Sequence, residues 1–253
     1  MTGAAGAYPR DLQGYGLRLP NPEWPRGARL AVQFVVNYEE GGEHSILHGD
    51  PHSEFRLHEV SGLPPLYGVR NLNVESFFEY GSRVGIWRIA NEFEARELHF
   101  TVFAVGMALD RNPEVGRLLA AAGHEIASHG WRWIDYQYVN PEVELDHIRR
   151  ATATIERITG QRPQGWYTGR VSPNTRRLVV AAGGYVYDSD SYADDLPYWT
   201  LVGDTWHLIV PYSLDNNDMK FATPNGFATG NDFFEYLRDA LMFCTERVSE
   251  HQR

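Results

Sequence analysis

The chain has 253 residues, with 33 acidic against 23 basic side chains (formal net charge −10) and one cysteine. Such a length accommodates one large α/β domain, and the acidic balance, with no local Lys/Arg cluster to offset it, argues against a nucleic-acid partner. A lone cysteine excludes both an internal disulfide framework and a thiolate metal cluster.

The amino terminus MTGAAGAYPRDLQGYG lacks a basic stretch leading into an apolar one, and no apolar run reaches the roughly eighteen residues of a membrane span. A soluble, cytoplasmic protein without a membrane partner is expected. Residues 1–28, rich in Gly and Pro, are expected to form an irregular arm, and residues 29–253 a single domain. Leu30 to Val36 (LAVQFVV) is read as a strand buried on both faces, ending at Glu39-Glu40 and the glycines Gly41-Gly42. The segment from Glu43 to Pro65 holds His44, His48, His52 and His58. Gly49 and Pro51 break any helix that would align them, so a polar loop near the acids is favoured over a metal site.

From Val74 the pattern turns helical, with Ile86, Ile89, Ala90 and Phe93 on one stripe, before a second buried strand at Phe100 to Val105. Asn112-Pro113 starts a helix that Gly123 ends, and His124 to Ser128 is a third strand. Asn140-Pro141 repeats the start signal, Leu145, Ile148, Thr152 and Ile155 face inward, and Gly160 is the stop. Further strands are expected at Gln164 to Thr168, Tyr185 to Tyr187 and His207 to Pro211, with a helix from Pro173-Asn174 to Gly183-Gly184. Asn231 is expected to cap a last helix in which Cys244 is a small buried hydrophobe beside Leu241, Met242 and Phe243. Strand alternating with helix implies a mainly parallel sheet with right-handed crossovers, closed or nearly closed into a barrel.

Chemistry in α/β proteins gathers at the carboxyl ends of strands, and Glu39, Glu40 and His129 all fall there. Successive strand residues point apart, so one acid could be a desolvated base while the other anchors something. Two acids that merely begin a solvated loop fit the same letters. The aromatic residues Trp131, Trp133, Tyr136, Tyr138, Trp166 and Tyr167 could stack on a sugar ring or sandwich a flat heterocycle, although core packing is the favoured account of each one singly. Asp188, Asp190, Asp194 and Asp195, set among Ser and Pro, read as backbone caps rather than a cation site.

The segments NYEEGGE, SHGWRWIDYQY, GWYTGR, SPNTRRL, YDSDSYADDLPYW and NDM resemble the polysaccharide deacetylase (NodB-like) superfamily, and more closely its cofactor-independent allantoinase (PuuE-type) branch. The resemblance extends from about Tyr8 to Leu241. It implies a (β/α) barrel of the NodB type, with Glu39, Glu40 and His129 on the motif positions. The metal-binding deacetylases hold a divalent ion with one aspartate and two histidines spaced four apart. Here the acids are glutamates and Trp133 stands four after His129, so neither metal nor other cofactor is expected.

The activity implied is hydrolysis of (S)-allantoin to allantoate in purine breakdown, on a small-molecule ureide substrate. Without a metal to activate water, Glu39 is expected to be the base, and Glu40 and His129 to position water, substrate or Glu39 itself. Backbone N–H groups of the 166–170 turn are expected to stabilise the oxyanion. Arg170 suits a planar carbonyl or urea group, or alternatively pairs with Asp188 or Asp190; Trp131, Trp133, Trp166 and Tyr167 complete the expected substrate site. An N-deacetylase of acetylated amino sugars and a catalytically silent relative are the rival readings. The branch suggests a homo-oligomer. The family's carboxyl-terminal strand with its Leu-x-His motif is not found, and His251 sits in a polar tail, so the barrel is expected to be incomplete at that end.

Overall fold

In the computed structural model, residues 10–250 are described apart from 19, 57 and 59–61; residues 1–9 of the expected arm and His251 lie outside them. Seven strands form one sheet: β1 Val35–Tyr38, β2 Thr101–Ala104, β3 Glu125–Ser128, β4 Gly165–Trp166, β5 Tyr187–Asp188, β6 Tyr198–Val202 and β7 Thr205–Ile209. Their spatial order is β1-β2-β3-β4-β5-β7-β6, and every pairing is parallel except the last. The helices are α1 Leu72–Tyr80, α2 Ile86–Glu94, α3 Gly106–Arg111, α4 Pro113–Ala121, α5 Pro141–Thr159, α6 Thr175–Ala182 and α7 Gly230–Glu250. This is the mainly parallel strand-helix architecture expected, built by crossovers between neighbouring strands.

The interior of the sheet is dry where the sequence is most apolar. Every residue of β2 is buried, and β2 packs with Leu109, Val115, Leu119 and Ile155 in the main core cluster. The first strand differs from expectation. It begins only at Val35, is half-buried, and leaves Val32 and Phe34 exposed, because it lies at the edge of the sheet with a single neighbour.

Two elements escaped the periodicity. The β6–β7 hairpin turns through Gly203-Asp204, a two-residue connection whose Gly203 takes a φ of 60°. Helix α3 starts at Gly106, where a side chain would sit 2.9 Å from Ala151 and from the Trp131 ring, so the missing Cβ is what lets α3 approach α5. Between α1 and α2 the helix widens into a π turn, Gly81–Gly85, rather than stopping. The last helix is capped by Thr229, whose hydroxyl accepts from the Asp232 amide while Asp232 accepts from the amides of Ala228 and Thr229. Asn231 is therefore not the cap. Cys244 is exposed, not buried, and so are its neighbours on α7, Leu241, Met242 and Phe243.

Candidate active site

Because β1, β2 and β3 run parallel in register, Tyr38, Ala104 and Ser128 end level, and the residues that follow them share one end of the sheet. Glu39 leaves β1 and His129 leaves β3, and they meet across β2 with Glu39 Oε1 3.0 Å from His129 Nε2. The His129 side chain is 2% exposed, and its Nδ1 lies 2.6 Å from the Tyr167 carbonyl oxygen. A carbonyl oxygen only accepts, so Nδ1 carries a hydrogen and Nε2 is left to face the carboxyl group. That contact needs one proton shared between the two partners. The Tyr167 ring stacks on the imidazole at 5.2 Å, and Tyr212 stacks on Tyr167 at 4.6 Å, so three near-parallel rings lie in a row from His129 outward.

Glu40 has a different environment from its neighbour. Its Oε2 accepts the Glu39 amide at 2.9 Å, and its carboxyl lies against Gly81, where even a methyl group would come within 2.2 Å of Oε1. Burial pushes its pKa up to about 8, with the charges of Glu39 and Glu43 adding to the shift and backbone hydrogen bonds opposing it. Glu40 thus fastens the backbone that carries Glu39, while the Glu39 carboxyl remains part-exposed.

The 166–170 turn uses its amides internally. Asp190 accepts from Thr168 N at 3.0 Å, from Gly169 N at 2.8 Å and from the Trp166 indole at 3.1 Å. The Tyr167 amide belongs to the sheet, donating to the Ser128 carbonyl. The amides of residues 167–169 are therefore not available to an oxyanion, contrary to the sequence reading. Burial raises the Asp190 carboxyl to about 6 in spite of these donors, with Asp188 adding to the shift. Its effect is to hold the Tyr167 carbonyl under His129.

Arg170 pairs with neither Asp188 nor Asp190. Asp188 is taken by Arg176, at 2.8 Å and 3.0 Å, and by His207. The Arg170 guanidinium lies 3.7 Å from the Trp133 ring centroid and 3.8 Å from the Glu54 carboxylate. Trp133 is itself buried in the main core, so it is the platform on which Arg170 rests. Trp131 packs toward the helices, against Gly106 and under the Arg150 guanidinium. Trp166 is buried with Ile148, Leu178 and Val179. Of the four aromatic candidates, only Tyr167 contacts the Glu39–His129 pair directly, through its stack on His129.

Four residues near the Glu39–His129 pair and Arg170 were not singled out from sequence. Tyr212 supplies the outer ring of the stack and accepts from Asn217. Asn37 meets the Tyr212 hydroxyl. The Asp218 carboxyl is raised first by desolvation and then by the nearby charge of Glu39. Glu54 is buried beside Arg170. The NDM segment carried a signal for Asp218, whereas Glu54 lies in a stretch without periodicity and had none.

The donor set does not fit the divalent ion that the deacetylases use. Glu39 and His129 are already bonded to each other, and Trp133 is in the core. His124 lies at the opposite end of β3, stacked on Phe100 and accepting its amide at 3.2 Å. Among the described residues, no three His, Cys, Asp or Glu side chains are grouped to hold a metal.

The Polysaccharide deacetylase family model matches residues 72–187. The "Putative polysaccharide deacetylase" of Schizosaccharomyces pombe is 43% identical over 250 residues, spanning 92% of this chain and 78% of that protein. A crystal structure of PuuE allantoinase superposes with a TM-score of 0.93 at 53% identity, over 96% of this chain and 82% of that one. A probable polysaccharide deacetylase from Pseudomonas aeruginosa PAO1 superposes with a TM-score of 0.92 at 54% identity, over 96% and 81%. With 43% identity to the Schizosaccharomyces pombe relative over 92% of this chain and 78% of that protein, the chain belongs to the polysaccharide deacetylase family.

Proposed function

We propose that the chain is a metal-independent allantoinase, opening the hydantoin ring of (S)-allantoin to allantoate in cytoplasmic purine breakdown. The observation that carries the reading is the Glu39–His129 pair at the carboxyl end of the sheet, with Trp133 built into the core where a second histidine ligand would stand. A site with two protein donors bonded to each other is equipped for proton transfer rather than Lewis-acid chemistry. The allantoinase with 53% identity to this chain supports the choice of ring substrate.

In this mechanism the proton shared by the pair resides on His129, leaving Glu39 as carboxylate. Water attacks the C4 carbonyl carbon of the ring while Glu39 takes its proton. The C4–N3 bond then breaks as N3 takes that proton and becomes the nitrogen of a new terminal ureido NH2, and C4 becomes a carboxylic acid that loses its proton to solvent. The fixed Nδ1–H···O=C bond keeps imidazole and carboxylate aligned throughout.

The test is turnover of the purified chain on allantoin, hydantoin and N-acetylglucosamine oligomers, before and after exhaustive chelation. Ring opening that survives chelation is expected. Release of acetate with no ring opening would favour the deacetylase reading, and ring opening abolished by chelation would overturn the metal-free mechanism.

A further inference from the structure

Glu54 is 1% exposed and rigidly held: its Oε1 accepts the amides of Phe55 and Arg56, both at 2.9 Å, and its own amide donates to the His44 carbonyl at 2.8 Å. Its Oε2 is buried and has no hydrogen-bond partner. The nearest cation atom is Arg170 Nη1 at 3.8 Å, an ion-pair contact too long to be a hydrogen bond. Arg170 mirrors this. Its guanidinium is held by its face on Trp133 and reaches the Trp133 carbonyl at 3.5 Å, yet Nη2 is also buried and unpartnered. A buried donor and a buried acceptor without partners are each costly, and having both side by side is unusual unless a ligand completes them.

We infer that Glu54 and Arg170 form a clamp for the terminal ureido group of the substrate, with Arg170 Nη2 donating to its carbonyl and Glu54 Oε2 accepting from its NH2. This rests on the ring-opening reading and deepens it. The chemistry of the edge decides the ligand class. A terminal ureido group presents its oxygen and one N–H on the same side, so one edge satisfies both protein atoms. The trans amide of an N-acetylated sugar presents them on opposite sides and can satisfy only one. Arg170 follows three residues after Tyr167, whose carbonyl meets His129 Nδ1 and whose ring stacks on the imidazole, so the clamp lies at the same end of the sheet as the Glu39–His129 pair.

The experiment compares kcat/KM for allantoin, which carries the ureido arm, with that for hydantoin, which lacks it. In Glu54→Gln the amide oxygen can keep the Phe55 and Arg56 amides while an NH2 replaces the free acceptor. The loss on allantoin is expected to exceed the loss on hydantoin by tenfold or more, mainly in KM. Arg170→Lys, which keeps the charge but not the fork, should lower the same ratio and carries the test if Glu54→Gln does not fold. Equal losses on both substrates would mean that the two residues only support the fold, and would overturn the clamp. Saturation-transfer NMR with methylurea gives a readout without turnover: weaker binding to Glu54→Gln than to wild type supports the clamp, and unchanged or absent binding overturns it. A chain that binds methylurea through Glu54 yet opens no ring sinks the ring-opening reading alone. One that opens both rings with an unaltered ratio in the variants sinks the clamp alone.

Discussion

Glu39 and Glu40 are adjacent in sequence and separate in duty, and substitution should pull them apart. On the proposed mechanism Glu39→Gln removes the acceptor for the water proton, so kcat should fall by roughly 10²- to 10⁴-fold with a much smaller change in KM. A Glu39→Gln enzyme with near-normal kcat, set against a dead Glu40→Gln, would reverse the two roles. Glu40→Gln should retain a larger share of activity, since an amide oxygen can still accept the Glu39 amide. Its clearer signature is in stability. The Glu40 pKa rises from 4.5 to about 8 on folding, so between those values the folded chain binds more protons than the unfolded one. Stability is then full below about 4.5 and falls as pH rises through about 8. Across that window the unfolding free energy of wild type should drop relative to Glu40→Gln by at least about 1.4 kcal/mol, the value of one pK unit, as measured by urea titration at several pH values.

At the scale of elements, the 166–170 turn behaves as one piece because Asp190 gathers Trp166, Thr168 and Gly169. Asp190→Asn places an NH2 where one carboxylate oxygen accepted, so at least one of these donors must lose its partner. A stability loss of about 1–3 kcal/mol is expected by thermal or urea unfolding. Turnover should fall with it, because the Tyr167 carbonyl that fixes the His129 tautomer belongs to this turn; unchanged kcat in a destabilised variant would separate the two effects. Elements governed by local rules were legible in the sequence. Helix α5 begins at Asn140-Pro141 and ends at Gly160 as its caps dictate, and the acids and histidine do leave strand ends. What was not legible depends on distant contacts. The π turn beside Glu40, the use of the turn amides by Asp190 and the approach of Glu54 to Arg170 all join segments that sequence periodicity treats as unrelated. The aromatic residues illustrate the limit: Trp131, Trp133, Trp166 and Tyr167 look alike as letters, and only tertiary packing assigns them to helix layer, platform, core and imidazole stack.

For the whole molecule, the parallel ladders set the position of the reacting pair. Glu39 and His129 lie on strands that do not touch, and their 3.0 Å contact exists only when β1, β2 and β3 share the register Tyr38–Ala104–Ser128. No hairpin or single helix can assemble that pair ahead of the sheet, because β1 and β2 are joined through two helices and a long loop. The consequence is kinetic. Helices such as α5 can form within microseconds from local contacts, whereas a site spanning three parallel strands must wait for loop closures that are slow. On dilution from urea, ring-opening activity should therefore return after the far-UV circular dichroism signal, and with the same rate constant as burial of the core tryptophans followed by fluorescence. Activity returning together with the earliest helical signal would show that the pair assembles without the sheet. On the proposed mechanism, turnover by this chain is a clock that starts only when folding is over.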